Sequence, residues 1–257
     1  MIASHAAAQL EATAPNPKGV NPKGVNWQLA RFGVALGGDI DMPHHLDHEY
    51  LLSTGRDVDF DASDLPFSHG EMTRMNCDNG TFRIGLSISP LHSPNTEIQF
   101  SLLDISGRID LVHYEMGTKD ASDYQWLEVH AENKETAVEV VYLKRDQTTK
   151  LLSFNAGIGT NLGYSHSGKV HVKGLMLDDG IADSPANGQA FDLTYKQREG
   201  INQRLFLQAG MGIRFLKKME IGIEFRKGLG YRASFGGPTK FTILKRSLGF
   251  SLRCQLF

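Results

Sequence analysis

Residues 44–49 bring His44, His45, Asp47 and His48 together with Glu49, a set of imidazoles and carboxylates. These are the donor types that hold Zn²⁺ or Cu²⁺. A metal also needs fixed geometry, and Met42-Pro43-His44-His45-Leu46-Asp47-His48-Glu49 shows neither a helical nor a strand period. Its plainer reading is a polar loop, and no cofactor is expected. Tyr164-Ser165-His166-Ser167 sets an imidazole beside hydroxyls, and Asp178-Asp179 is an acidic pair with no nearby His to complete a proton-transfer couple. A third group, Arg204, Arg214, Glu220, Glu224 and Arg226, carries opposite charges on one parity of two adjacent alternating runs. Enclosed, those five could gate an ion path; packed against one another, they would plug an interior, and charges without partners would be costly there.

The elements that would position these groups are legible as alternation. In residues 203–215, Leu205, Leu207, Ala209, Met211, Ile213 and Phe215 share one parity, against Arg204, Gln208, Gly210, Gly212 and Arg214, with Phe206 the exception. Side chains alternate across a strand, so this run has one apolar face and one that is polar or bare. After Leu216-Lys217-Lys218, Met219, Ile221, Ile223 and Phe225 repeat the pattern against Glu220, Gly222, Glu224 and Arg226. Residues 27–40, 80–90, 150–164 and 240–256 alternate likewise. The polar parity is dominated by Gly, Ser and Asn with a few Arg and Glu, where a water-facing sheet would carry Lys, Glu and Thr. Small residues with sparse opposite charges suit a narrow lumen, which turns the large apolar parity toward lipid. Trp27, Tyr164, Tyr231 and Phe257 fall near strand ends, where interfacial aromatics belong.

Composition agrees with this and excludes other classes. Lys+Arg total 27 against 29 Asp+Glu, for a net charge of −2, which gives no general pull toward nucleic acid. No apolar run approaches the ~18–20 residues of a spanning helix. Two cysteines make no disulfide scaffold. Cys77 and Cys254 are expected at opposite ends of the barrel, too far apart to bond.

Tight connections at 91–95, 145–149 and 216–218 alternate with long ones at 41–78 and 165–202. That rhythm implies an up-and-down antiparallel barrel with short turns at the end holding both termini. Residues 96–116 and 123–145 are about twice the ~9–11 residues of a membrane strand and lose register midway. A bulge with a projecting hairpin gives eight strands; turns at Ser106-Gly107 and Asn133-Lys134 would give ten. Residues 26–257 form the barrel. Residues 1–25 contain Ala6-Ala7-Ala8 before Gln9, similar to the end of a secretory signal, then a repeated NPKGV, and read as a signal remnant and flexible tether.

The pattern resembles the small outer-membrane β-barrels of the OmpA/OmpX type, particularly a Bacteroidota-like branch. Ser247-Leu248-Gly249-Phe250-Ser251-Leu252-Arg253-Cys254 resembles the C-terminal insertion signal of that class, with Cys254 where an aromatic is usual. Ser247, Gly249, Leu252 and the final Phe257 are its candidate residues. The resemblance implies residence in the outer membrane of a Gram-negative bacterium. It also implies contact with the lipid bilayer and lipopolysaccharide, and insertion by the barrel-assembly machinery. Lipid A deacylases of similar architecture carry His-x-Ser on the penultimate strand, where this chain has Glu224-Phe225-Arg226-Lys227-Gly228. The chain is therefore expected not to be an enzyme. Its expected role is that of a structural scaffold, an accessory subunit of a membrane complex touching other outer-membrane or periplasmic proteins, or a surface-interaction module. Nucleic acid is not an expected partner. The alternatives are a small porin or ligand channel and, behind it, a lipid A-modifying enzyme.

Overall fold

A computed structural model describes residues 26–41, 48–58, 71–116, 125–147, 149–175 and 190–256. The strands are β1 (Trp27–Asp41), β2 (Glu71–Pro90), β3 (Thr96–Met116), β4 (Gln125–Asp146), β5 (Leu152–Leu175), β6 (Ala190–Lys196), β7 (Gly200–Leu216), β8 (Met219–Ser234) and β9 (Thr239–Gln255). The hydrogen-bonded order β4-β3-β2-β1-β9-β8-β7-β5, together with a β4–β5 pairing, closes a ring of eight antiparallel strands. β6 lies outside the ring, paired to the far half of β5 from Lys169↔Lys196 to Leu175↔Ala190. With the ring closed, the barrel wall has no free edge.

The faces divide as the alternation requires. Leu36, Leu102, Val138, Leu162, Leu207, Ile213, Ile221 and Phe250 stand exposed on the outside. Arg83, Glu97, Glu139, Arg145, Asn161, Arg204, Glu220, Glu224 and Arg253 are buried inside. Exposed aromatics bound the outer band at both ends: Trp27, Tyr142 and Phe215 toward the termini, and Tyr164, Tyr231, Phe235 and Phe241 at the far end. From Ile221 to Tyr231 is ten residues. That is roughly 33 Å along a strand and ~25 Å when tilted by ~40°, the height of a lipid-facing band. Lys227 and Arg246 are directly opposed on this outer face, and their long stems can carry the charges toward the far rim.

The bare positions of the inner parity have a steric cause. A Cβ on Gly157 would lie 2.1 Å from the Tyr142 carbonyl oxygen and 2.9 Å from Leu143 Cδ2. Gly157→Ala is therefore expected to destabilise the folded barrel by about 1–3 kcal/mol. The midpoint of urea unfolding in detergent checks this; an unchanged midpoint would mean the wall yields there.

At the far end the structure departs from the expected long loops. β2 starts at Glu71, β5 runs on to Leu175, and β6 adds a strand. Both 41–78 and 165–202 thus contain sheet that lacks the pattern of a lipid-facing strand. Ser106-Gly107 and Asn133-Lys134 are not turns. The β3–β4 register shifts between Ile105 and Arg108, and the β4–β5 register between Lys134 and Glu135, while the strands continue. The eight-strand count holds, and β2 to β6 extend beyond the band as a sheet. From Thr136 to Gln125, β4 alone covers roughly 37 Å along its length.

That extension has a core of its own. Val112, Tyr114, Leu127, Val129, Ala131, Val170 and Val172 on its inner face pack with Leu51 and Leu52 of the helix α1 (His48–Ser53). α1 is held by backbone bonds from Arg198 N to Thr54 O at 2.7 Å and from Arg56 N to Lys196 O at 2.7 Å. The Arg198 Nε donates to Gly55 O at 2.8 Å.

A charged lumen and an outer histidine patch

Six of the eight barrel strands contribute to one ion-pair network across the lumen. Glu97 of β3 binds Arg31 of β1 and lies 3.3 Å from Arg145 Nε of β4. Arg145 donates to Glu220 of β8 at 2.7 Å, and Ser153 Oγ donates to the second oxygen of Glu220 at 2.8 Å. Arg253 of β9 joins Glu220, at 3.3 Å, to Glu224. Glu224 also binds Arg83 of β2 and lies 3.5 Å from Arg226. Glu139 of β4 closes the series, accepting from Arg83 at 3.2 Å and from both ends of Arg226 at 2.6 and 3.1 Å.

Above it, toward the far end, Arg204 lies 3.6 Å from Glu135, which accepts from Asn202 at 2.8 Å. Phe206, the one aromatic on the inner parity of β7, packs with Val141 and Leu143. The Arg226 guanidinium sits 4.7 Å from its ring centroid. A cavity of about 60 Å³ lined in part by Arg83, Arg204, Phe206, Glu224 and Arg226 has room for a few waters.

Charges paired inside and hydrocarbon exposed outside are the reverse of a water-soluble protein. The chain is a transmembrane β-barrel. No protein-family model matches it, and no curated protein sequence does. Solved structures to which it is similar include three outer-membrane or surface proteins. Neisserial surface protein A matches at 9% identity and TM-score 0.40, over 90% of this chain and 99% of that one. Ail, the attachment invasion locus protein of Yersinia pestis, matches at 10% and 0.31, over 90% and 99%. The outer-membrane protease OmpT of Escherichia coli matches at 7% and 0.36, over 92% and 98%. The closed ring and its two faces stand on this chain's own hydrogen bonds. OmpT does correct one expectation: a protease stands among the barrels similar to this one, so the exclusion of enzymatic activity is withdrawn.

The residues singled out from sequence fall in several places. Glu220, Glu224 and Arg226 belong to the network, Arg204 belongs to the Glu135 cluster, and Arg214 is half-buried near the β7–β8 turn. Arg31, Arg83, Glu97, Glu135, Glu139, Arg145 and Arg253 were missed as members. Arg31, Arg83 and Arg253 sit on the polar parity of runs whose alternation is plain, so parity alone could have found them. His44, His45 and Asp47 lie outside the described residues, and His48 opens α1, a helix where no framework was expected. Ser247 and Gly249 are half-buried on the inner parity of β9, Leu252 faces out, and Phe257 lies outside the described residues. Cys77 pairs with Ile40 and Cys254 with Phe32. Those β1 positions are roughly 26 Å apart, so no disulfide joins the two cysteines.

Sequence reading also missed a patch on the outer face of the extension. His130 of β4 is the direct cross-strand partner of His171 of β5, and their rings stack at 4.5 Å between centroids. Glu128 and Glu132 flank His130 on its own face, and His113 lies 3.8 Å from Glu128. Burial and the neighbouring His130 push the His171 imidazole below its ordinary value.

Proposed function

We propose that the chain is a resident of the outer membrane of a Gram-negative bacterium. In this reading the barrel is a filled anchor, and the extension built from β2–β6 and α1 is the working surface. It acts as a scaffold, as an accessory subunit of a membrane complex, or as a surface-interaction module. The observation that carries this is the division of labour along the strands. The lumen is spanned by paired charges, whereas the part beyond the lipid band has its own apolar core and a water-facing exterior. Loops and extensions on a rigid barrel are where recognition residues collect.

Lipid and lipopolysaccharide would contact the apolar band and its aromatic rims. The barrel-assembly machinery would read the C-terminal strand, and other outer-membrane or periplasmic proteins are the partners sought. A small porin is the competing reading, and the Glu224–Arg83–Glu139–Arg226 cluster opposes it by filling the bore.

Purified full-length protein in planar bilayers separates the two. No steady conductance is expected from the wild type. In SDS gels the unboiled outer-membrane fraction should run differently from the boiled one. Stable open channels would overturn the anchor reading in favour of a pore. Recovery in the soluble fraction without detergent would overturn the membrane reading altogether.

A further inference from the structure

The outer histidine patch has the make-up of a metal site. His130 and His171 face each other across a β4–β5 pair, and Glu132, two residues along β4, shares their face. Ligand atoms of His130, Glu132 and His171 all lie within 4.8 Å of one another. Two imidazole nitrogens on a tetrahedral Zn²⁺ stand ~3.3 Å apart, given bonds of ~2.0–2.1 Å, so small rotations of the two half-buried imidazoles and the exposed Glu132 carboxylate close the set without moving either strand.

The second ring nitrogen of His171 has an orienting partner, and that of His130 lies beside a carboxylate without a hydrogen bond to it. His171 Nδ1 is 3.1 Å from Thr194 Oγ1 on β6. His130 Nδ1 faces Glu128 Oε1 at 3.4 Å, and its Nε2 faces Glu132 Oε1 at 3.7 Å. In His171, an Nδ1–H donated to Thr194 Oγ1 would leave Nε2 as the metal donor, the arrangement in which a second layer fixes a metal-binding imidazole. Lys169 and Lys173 flank His171 on the same face and oppose a cation, while Glu128 and Glu132 offset them.

We propose that His130, Glu132 and His171 bind a divalent transition metal, Zn²⁺ or Cu²⁺, on the water-facing side of the extension. The fourth position opens to solvent beside a groove of about 730 Å³ that Glu132 and His171 help to line. A metal held there can take a further ligand from a partner, so the site would be one of capture or bridging at the membrane surface.

The test uses full-length protein in detergent carrying His44→Ala, His45→Ala and His48→Ala, which removes the competing imidazoles near the N-terminal end. Zn²⁺ calorimetry should show one site per chain. Adding His130→Ala or His171→Ala should weaken it by about 100-fold or more, and Thr194→Val by ~10–100-fold. Cu²⁺ spectra by electron paramagnetic resonance should carry two imidazole nitrogens, falling to one in His171→Ala. Heat-dependent gel mobility checks that each variant is a folded barrel. Zn²⁺ binding unaltered by both His substitutions, or a Cu²⁺ spectrum without two imidazole nitrogens in the triple-alanine background, would overturn the site.

Discussion

Glu224→Ala is expected to lower the unfolding free energy by about 3–5 kcal/mol, the cost of leaving buried charge without its partner. Glu224 is 2% exposed and is contacted by Arg83, Arg253 and Arg226, which come from three different strands. Its removal leaves three guanidiniums in the bore to share, among the described residues, Glu139 and Glu220. The contrast is an exposed pair, Lys173 with Asp192 at 3.6 Å, where Lys173→Ala should cost less than ~1 kcal/mol. Urea unfolding in detergent or lipid, followed by the fluorescence of Trp27 and Trp126, measures both. A Glu224→Ala loss as small as that of Lys173→Ala would show that the network contributes nothing to stability. A double-mutant cycle with Arg253→Ala then isolates the pair, since neighbours in one network do not add independently. Glu224→Gln keeps the shape and loses the charge, so it should fall between wild type and Glu224→Ala.

The same network shows why part of the site was legible and part was not. On β8 the pattern Glu220, Gly222, Glu224, Arg226 against Ile221, Ile223, Phe225 is unbroken, and its polar face is the lumen. On β4 the odd residues are buried along the whole strand from Gln125 to Arg145, so the alternation never slips. What changes is the solvent outside. Val138, Val140 and Tyr142 face out within the lipid band, while Glu128, His130 and Glu132 face out beyond it. The inner face changes in the opposite sense, from Glu139 and Glu135 in the bore to Ala131, Val129 and Leu127 over α1. A reader following apolar residues sees the parity jump, although the backbone has not moved. Glu97, Glu139 and Arg145 were therefore hidden as lumen groups, and the inward Val and Leu of the extension resembled a lost register. β3 does shift, at Ser106-Gly107, and that irregularity keeps Val112 and Tyr114 on the same inner side as Leu103 and Ile105. The His130–His171 pair could not be found by spacing at all, because only the β4–β5 register brings residues so distant in sequence together.

Whether the outer face meets lipid is decided most directly by a charge placed on it. Leu207 on β7 is 65% exposed, between the equally outward Leu205 and Ala209. In water, an arginine at so open a position would be nearly neutral, since surface substitutions away from buried features stay within about 0.5 kcal/mol. In a bilayer, Leu207→Arg should cost about 2–4 kcal/mol at the midplane, and the cost should fall to ~0–1 kcal/mol toward the rims. Arginine substitutions along the outward parity of β7, at Leu205, Leu207, Met211 and Ile213, should thus give a profile that peaks inside the band. Thr194→Arg, on the water-facing side of the extension, should cost no more than about 1 kcal/mol, the worth of its exposed hydrogen bond to His171. Reversible unfolding from lipid vesicles measures the series. A flat profile would mean that this face meets water and that the charged lumen is the core of a soluble barrel. A peaked one would fix both the membrane position and the height above it at which the extension begins.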